Sequence, residues 1–268
     1  MNNNQPSSFA TLSTRQTYDE LCLMLKSIEF HHKNTPVFVV ADSFCQEHLK
    51  HTSFNLELKI FNSLDLYSNL TRFEMEEGGI VTEFWNNKTK AIEWALDNHE
   101  DVMFLDCDVF VVSPVEIPSK RYLLGLSPQF IPTANSNLVG FYNGGYLWTR
   151  CKKLPSLWRR ANNTSRYVDQ ASLEAIALTY KDKFFEFDEG HNIQPWRAIL
   201  WEKMDVNWYD SIMMTGTDCF VNYKSMKSIH THFHDSRFKI FNTLCKKIIS
   251  HLGNNEILKL IDRIESRK

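Results

Sequence analysis

Hydrophobic and polar positions along the first sixty residues fall into two alternating kinds of run. Residues 8–14 (SFATLST) form a short apolar run closed by polar turn residues, which predicts a strand. Residues 17–32 place Leu21, Leu23, Met24, Leu25 and Ile28 at largely helical spacing. A continuous apolar run at 35–43 (TPVFVVADS), introduced by Pro36 and closed by Asp42, predicts a buried strand. A helix at 45–52 and a strand at 54–62 follow. This β-α-β-α-β order within about sixty residues implies a mostly parallel sheet with helices on its faces, an α/β fold.

Further on, residues 64–85 carry Gly78-Gly79 and predict a mobile loop. Lys88, Ala91, Ile92, Ala95 and Leu96 then repeat at helical spacing across 85–100, feeding into an apolar run at 102. Residues 122–128 predict a strand, 131–140 a loop, 141–150 a strand with two glycines at its entry, and 154–163 a short helix. A helix is expected at 167–180 with Asp169 near its start, where the helix dipole favours a carboxylate. The tail, from 240 onward, reads as two amphipathic helices split at 253–255. The expected division is a main domain over 1–235 and a helical tail over 236–268.

The run VMFLDCDVFVVSP (102–114) changes the picture, because it sets Asp106 and Asp108 inside strand-like material. Carboxylates in such a place are costly to bury without a cationic partner. Two residues apart on an extended chain share a face, so both could approach one divalent ion. Open α/β sheets keep their ligands at strand ends. On residues alone, the rival reading is a turn whose aspartates cap backbone amides.

Composition narrows the classes. A net charge of −2, with no long basic block, argues against nucleic acid as the main partner. Six scattered cysteines without C-x-x-C read as reduced thiols. No basic segment followed by an apolar one opens the chain, and no apolar span is long enough to cross a bilayer; the reading is a soluble, cytoplasmic protein. The N-x-S/T triplets headed by Asn69, Asn87, Asn162 and Asn163 then read as coincidental. Lys246, Lys247, Lys259 and Arg263 give the tail a basic face, read as solvated or as a weak contact for an anionic surface.

Four motifs occur in one order: FLDCDVFVV (104–112), FYNGGYLWTR (141–150), YVDQASLEAI (167–176) and SIHTHF (228–233). Over roughly 8–235 the chain thereby resembles the GT-A nucleotide-diphospho-sugar transferases, especially the retaining, glycogenin-like and related groups. The resemblance implies a Rossmann-like sheet and transfer of a hexose from a UDP-type nucleotide sugar to a hydroxyl acceptor. It implies Asp108 as a direct metal ligand and Asp106 as a second ligand or an acceptor for ribose. A late histidine, His230 or His232, would complete the set, with His234 outside it; the ion expected is Mn²⁺, or Mg²⁺. Three histidines on a surface strand are the alternative.

By the same resemblance, Thr11, Leu12 and Ser13 would line a nucleobase slot, and Asn143, Gly144 and Gly145 would meet the donor sugar. A glycine bulge is the other reading of the last three. Asp169 and Gln170 would sit beside the donor sugar as catalytic residues. Lys88 would reach a phosphate or ribose, unless it is a solvated helix lysine. The H-x-x-G-x-x-K-P-W ending of glycogenin-like members is absent, which leaves Arg237 or Lys239, or a different clamp, to hold the diphosphate. Should a carboxylate act as base, Asp169 comes first, then Glu186, Asp188 and Glu189. Acceptor pockets are expected on 64–85 and 184–208, where Phe84, Trp85, Trp196 and Trp201 would stack on sugar or pack the core. A sugar nucleotidylyltransferase is the enzymatic rival, but SFATLSTRQTYDE lacks the glycine-rich loop such enzymes carry after their first strand. A non-catalytic binding protein on the same fold is the other.

Overall fold

The computed structural model describes residues 4–216, 218–233, 235–251 and 255–266; His234 and Gly253 lie outside the described residues. In chain order the first half runs β1 (Phe9–Ser13), α1 (Tyr18–His31), β2 (Val37–Ala41), α2 (Ser43–His51), β3 (Leu58–Asn62), α3 (Arg72–Glu77), α4 (Val81–Asn98), β4 (Val102–Leu105), β5 (Val109–Val111), β6 (Leu124–Pro128), α5 (Thr133–Val139) and β7 (Tyr142–Thr149). There follow α6 (Leu154–Asn162), α7 (Ser172–Thr179), β8 (Phe184–Glu186), α8 (Pro195–Glu202), β9 (Ile212–Thr215), β10 (Asp218–Val221), β11 (Lys224–Ser225), β12 (Ser228–His230), α9 (Lys239–His251) and α10 (Asn255–Ser266).

Seven strands form one sheet in the order β3-β2-β1-β4-β7-β6-β8. Pairing is parallel throughout except where β7 runs against β4 and β6. The fold is thus the expected mixed α/β architecture with a mostly parallel sheet. Its central strands read as unbroken apolar runs because helices cover both faces. Period two then sorts the side chains: Ala10, Phe38 and Phe104 pack with α4, α6 and α7, while Phe9, Val37, Val39 and Met103 pack with α1 and α2. In this sheet the edge strand β3 alternates half-buried with exposed residues, Lys59 among the exposed ones.

Several expectations shift. Residues 131–140 contain a short helix rather than loop throughout, entered after Pro132. The 64–85 stretch, expected as a loop, holds α3, opened by a capping box in which the Thr71 hydroxyl accepts from the Glu74 amide and the Glu74 carboxylate accepts from the Thr71 amide. The third strand starts at Leu58 rather than 54.

α9 and α10 pack on Leu23, Phe110, Ile229 and Phe233 through Phe241, Cys245, Ile248, Ile249, Ile257, Ile261 and Ile264, so the tail beyond 235 shares a core with the rest of the chain. Lys246 pairs with Asp262 (2.9 Å) and Glu265 (2.8 Å), and Arg263 with Asp19 (3.2 Å). Two cations of the proposed basic face are therefore engaged inside the fold. All six cysteines are buried and unpaired. No helix among the described residues is long and apolar enough to cross a membrane.

Candidate functional site

β1 and β4 run parallel, so Ser13 and Asp106 leave the sheet at the same end. The apolar run that begins at Val102 breaks after Leu105. Asp106 N–H donates to the Gly145 carbonyl (2.8 Å), and Val109 N–H returns to the Asp106 carbonyl (3.0 Å). The two aspartates consequently sit on a turn, not on a pleated strand, and point to different partners.

Asp108 meets the late histidines. β12 pairs antiparallel with β5, setting His230 opposite Val109. Thr231 clamps the turn from the other side: its N–H and its hydroxyl both donate to the Asp108 carbonyl, at 2.8 Å and 3.0 Å. His230 Nε2 lies 2.7 Å from Asp108 Oδ1 and His232 Nδ1 lies 3.2 Å from Oδ2. The two imidazoles stack, 4.6 Å apart and 4° from parallel. His232 reaches this position from a left-handed backbone conformation, φ 47°. Burial works against a charged His230, but the Asp108 carboxylate outweighs it and raises the pKa.

One ligand atom from each of Asp108, His230 and His232 falls within 4.8 Å of the others, a grouping that can hold a metal ion. One carboxylate oxygen and two imidazole nitrogens do not match the all-oxygen shell Mg²⁺ favours; they fit a first-row divalent ion. Asp106 is not in this grouping.

Asp106 instead belongs to a second network. Lys88, from the buried face of α4 and only 2% exposed, sets its Nζ 2.9 Å from Asp106 Oδ1, 2.8 Å from Asp169 Oδ2 and 3.2 Å from the Gly144 carbonyl. Three partners match the three hydrogens of an ammonium. Burial alone would lower the Lys88 pKa; the two carboxylates reverse it and hold the amine firmly charged. Asp106 is raised, chiefly by burial, with Lys88 opposing. Lys88 therefore faces inward to two carboxylates rather than outward to a phosphate.

The glycines answer to this network. A Cβ on Gly144 would fall 2.3 Å from Asp169 Oδ2, and one on Gly145 would fall 2.2 Å from Asp106 Oδ2. Both carboxylates occupy space that only glycine leaves. Asp169 sits in the turn ahead of α7, not in its first turn, so Lys88 rather than the helix dipole is its partner.

Amides form the adjoining wall. Asn143 Oδ1 accepts from Gly145 N–H (2.8 Å), and its Nδ2 faces Gln170 Oε1 (3.2 Å) and Gln194 Oε1 (3.3 Å). Gln194 Nε2 in turn faces Gln129 Oε1 at 3.4 Å. Gln129 and Gln194 escape a reading of the sequence, because nothing local marks them.

The other expected positions make the following contacts. Thr11, Leu12 and Ser13 are buried in β1, with the Ser13 hydroxyl against Thr17 (2.9 Å). Arg237 is exposed and paired with Asp235. Glu186 accepts from the Tyr142 hydroxyl (2.7 Å), Asp188 lies 3.9 Å from His191, and Glu189 contacts Asn222. Trp196 is partly exposed and edges onto Phe238, which lies 5.5 Å from the His232 ring.

No family model matches the sequence, and no curated protein does. In structure the chain is similar to the galactosyltransferase LgtC, solved with donor and acceptor sugar analogues: TM-score 0.58 and 13% identity over 88% of this chain and 95% of that one. It is similar to mouse xyloside xylosyltransferase 1, with TM-score 0.52 and 11% identity over 84% and 97% of the two chains. The bifunctional glycosyltransferase WbbM gives 0.59 and 10%, over 98% of this chain but 52% of that one. The chain thus shares the mixed α/β, GT-A fold of these glycosyltransferases.

Proposed function

We propose that this protein is a metal-dependent glycosyltransferase that moves a hexose from a nucleotide-diphosphate sugar, of the uridine type, to a hydroxyl of a glycan or protein-linked acceptor, with retention of anomeric configuration. The observation that carries the reading is the Asp108–His230–His232 grouping at a strand end of a GT-A sheet, directly beside the buried Lys88–Asp106–Asp169 network. A divalent ion such as Mn²⁺, held by Asp108, His230 and His232, would neutralise the charge that a departing diphosphate develops.

This chain's own residues supply the remainder. The Asn143, Gln170 and Gln194 amides present donors and acceptors suited to sugar hydroxyls. Lys88 holds Asp106 and Asp169 rigid beside them. The Lys88 ammonium, 2.8 Å from Asp169 Oδ2, fixes that carboxylate in place. A retaining front-face transfer needs no protein base: the acceptor hydroxyl loses its proton to a β-phosphate oxygen as its oxygen bonds to the anomeric carbon. The anomeric carbon's bond to the phosphate breaks in the same event, and the nucleoside diphosphate leaves with the proton.

The test is a panel of nucleotide sugars incubated with Mn²⁺, read as nucleoside diphosphate release and as anomeric configuration of the product. Release from one donor with a retained product supports the proposal. An inverted product overturns retention. Mn²⁺-dependent stabilisation by UDP without turnover over many acceptors favours a binding protein, and pyrophosphate from a nucleotide triphosphate plus sugar phosphate favours a nucleotidylyltransferase.

A further inference from the structure

We infer that Asn192 is the positioning residue of the metal site: its buried side-chain amide fixes His230 so that the Nε2 lone pair faces the cation. This rests on the reading of Asp108, His230 and His232 as metal ligands.

An imidazole that ligates through one nitrogen must carry its proton on the other, and that N–H needs an acceptor that holds the ring's orientation. His230 directs Nε2 toward Asp108, and its Nδ1 lies 3.2 Å from Asn192 Oδ1. Both residues are buried, His230 at 4% exposure and Asn192 at 0%, so no solvent competes for the contact.

An amide can present either its oxygen or its NH₂ to a ring nitrogen, and only the oxygen does this work. The orientation here has a cause. Asn192 Nδ2 faces the Ser127 hydroxyl at 3.4 Å, and that hydroxyl points its own hydrogen to the Pro128 carbonyl, also 3.4 Å away. Ser127 is left to accept, which turns the Asn192 oxygen toward His230. A flipped amide would set NH₂ against Nδ1 and favour the tautomer that cannot ligate.

The backbone around Asn192 is also held at unusual cost. Its φ is +49°, in the left-handed region. Its N–H donates to the Ser228 hydroxyl (2.8 Å), on the strand that ends in His230. Its carbonyl accepts from Arg197 Nη2 (3.1 Å). Arg197 is 1% exposed and forms no ion pair with a carboxylate among the described residues. Its guanidinium also donates to the main-chain carbonyls of Gln129 (3.2 Å), Glu189 (2.7 Å) and His191 (2.7 Å), over the Phe130 ring at 4.6 Å. A buried charge devoted to main-chain carbonyls is expensive. Here it pins the left-handed turn whose side chain touches the metal cluster.

The left-handed conformation supplies a clean pair of variants, because glycine and aspartate both tolerate it. Asn192→Gly keeps the backbone and removes the acceptor; Asn192→Asp keeps the acceptor. Mn²⁺ affinity is measured on the full chain by the electron paramagnetic resonance signal of free Mn²⁺, and the ligand field is followed by the visible spectrum of Co²⁺. Asn192→Gly is expected to weaken Mn²⁺ binding about 10- to 100-fold and shift the Co²⁺ bands. Asn192→Asp is expected to stay within roughly threefold of the parent, since carboxylate and amide oxygens both accept from an imidazole N–H. Equal affinity in the parent and Asn192→Gly, or an Asn192→Asp variant as weak as the glycine one, overturns the positioning role. A parent protein that does not bind Mn²⁺ overturns the metal reading itself, and this inference with it.

Discussion

Gly145 lies beneath the carboxylate of Asp106 so closely that a Cβ there would sit 2.2 Å from Oδ2. The carboxylate has little room to retreat, because Lys88 holds it at 2.9 Å and is itself buried. Gly145→Ala is therefore expected to cost about 1–3 kcal/mol, the range for overpacking a fixed interior. Gly144→Ala, facing Asp169 Oδ2 at 2.3 Å, should behave alike. Urea unfolding of each variant measures this, and a change below about 0.5 kcal/mol would mean the carboxylates swing freely.

Lys88→Met leaves Asp106 and Asp169 without their common cation. Breaking a buried pair by removing one partner costs about 3–5 kcal/mol. The loss should depend on pH in a definite sense. Burial already raises Asp106 with Lys88 opposing; without Lys88 its pKa moves further above the unfolded value, so the folded state binds more protons and stability falls as pH rises. The gap between Lys88→Met and the parent should narrow toward pH 4 and widen toward pH 7. Denaturation curves at both pH values decide it; a gap independent of pH would mean that the carboxylates are not what the lysine holds.

The legible parts of this fold are those where patterning is local. β1 to β3, their helices and the helix before β4 follow from runs that bury one stripe or both faces, as Val37–Ala41 and Ala91–Leu96 do. The helix at Thr133–Val139 was hidden because TANSNLV has no apolar repeat and buries only Ser136. At the site, the acidic pair and the histidine pair are visible as motifs. Their division of labour is not, because the turn after Leu105 sends Asp106 to a lysine 18 positions away and Asp108 to a strand more than a hundred positions later. Asn192 and Ser127, 65 positions apart, have meaning only as partners, and no local pattern marks either.

Acid stability provides a separate test of the packing. Burial depresses His32 to about 4 and His191 to about 3. Both are neutral in the folded chain, while the unfolded chain takes up protons near pH 6.5. Their contribution is thus present above 6.5 and lost as pH falls toward their folded values, by about 1.4 kcal/mol per unit for each group. His230 acts in the opposite sense: its raised pKa contributes fully below 6.5 and is lost as pH climbs through the folded value. Urea midpoints from pH 7 to pH 4.5 should fall steeply in the parent. A flat profile there would show that neither His32 nor His191 is shielded from water.

Asp108 is the shared contact of both imidazoles, so its removal should be felt as a lost cation and not as general unfolding. Mn²⁺ at 100 times its dissociation constant is expected to stabilise the parent by about 2.7 kcal/mol, and chelation to reverse that. Asp108→Ala should fold yet show no Mn²⁺-dependent shift in melting temperature and no Mn²⁺-dependent UDP binding. His232→Ala, removing the more exposed of the two rings, should weaken the shift without abolishing it. An unaltered Mn²⁺ response in Asp108→Ala would reject the ligand assignment.

Deleting the chain after residue 235 tests whether the tail is an appendage. α9 and α10 bring Phe241, Cys245, Ile248, Ile257 and Ile261 against Phe110, Ile229 and Phe233, each of these no more than 2% exposed. Ile229 and Phe110 are register partners in the β5–β12 pair that carries His230 to Asp108. Each large apolar side chain uncovered is worth about 1.5–3 kcal/mol, so removing both helices exceeds the stability of an ordinary domain. The shortened chain is expected to aggregate or to lose cooperative unfolding, and any soluble fraction should lack the Mn²⁺ response because the histidine strand has lost its support. A shortened chain that unfolds cooperatively and still responds to Mn²⁺ would establish 1–235 as an independent domain.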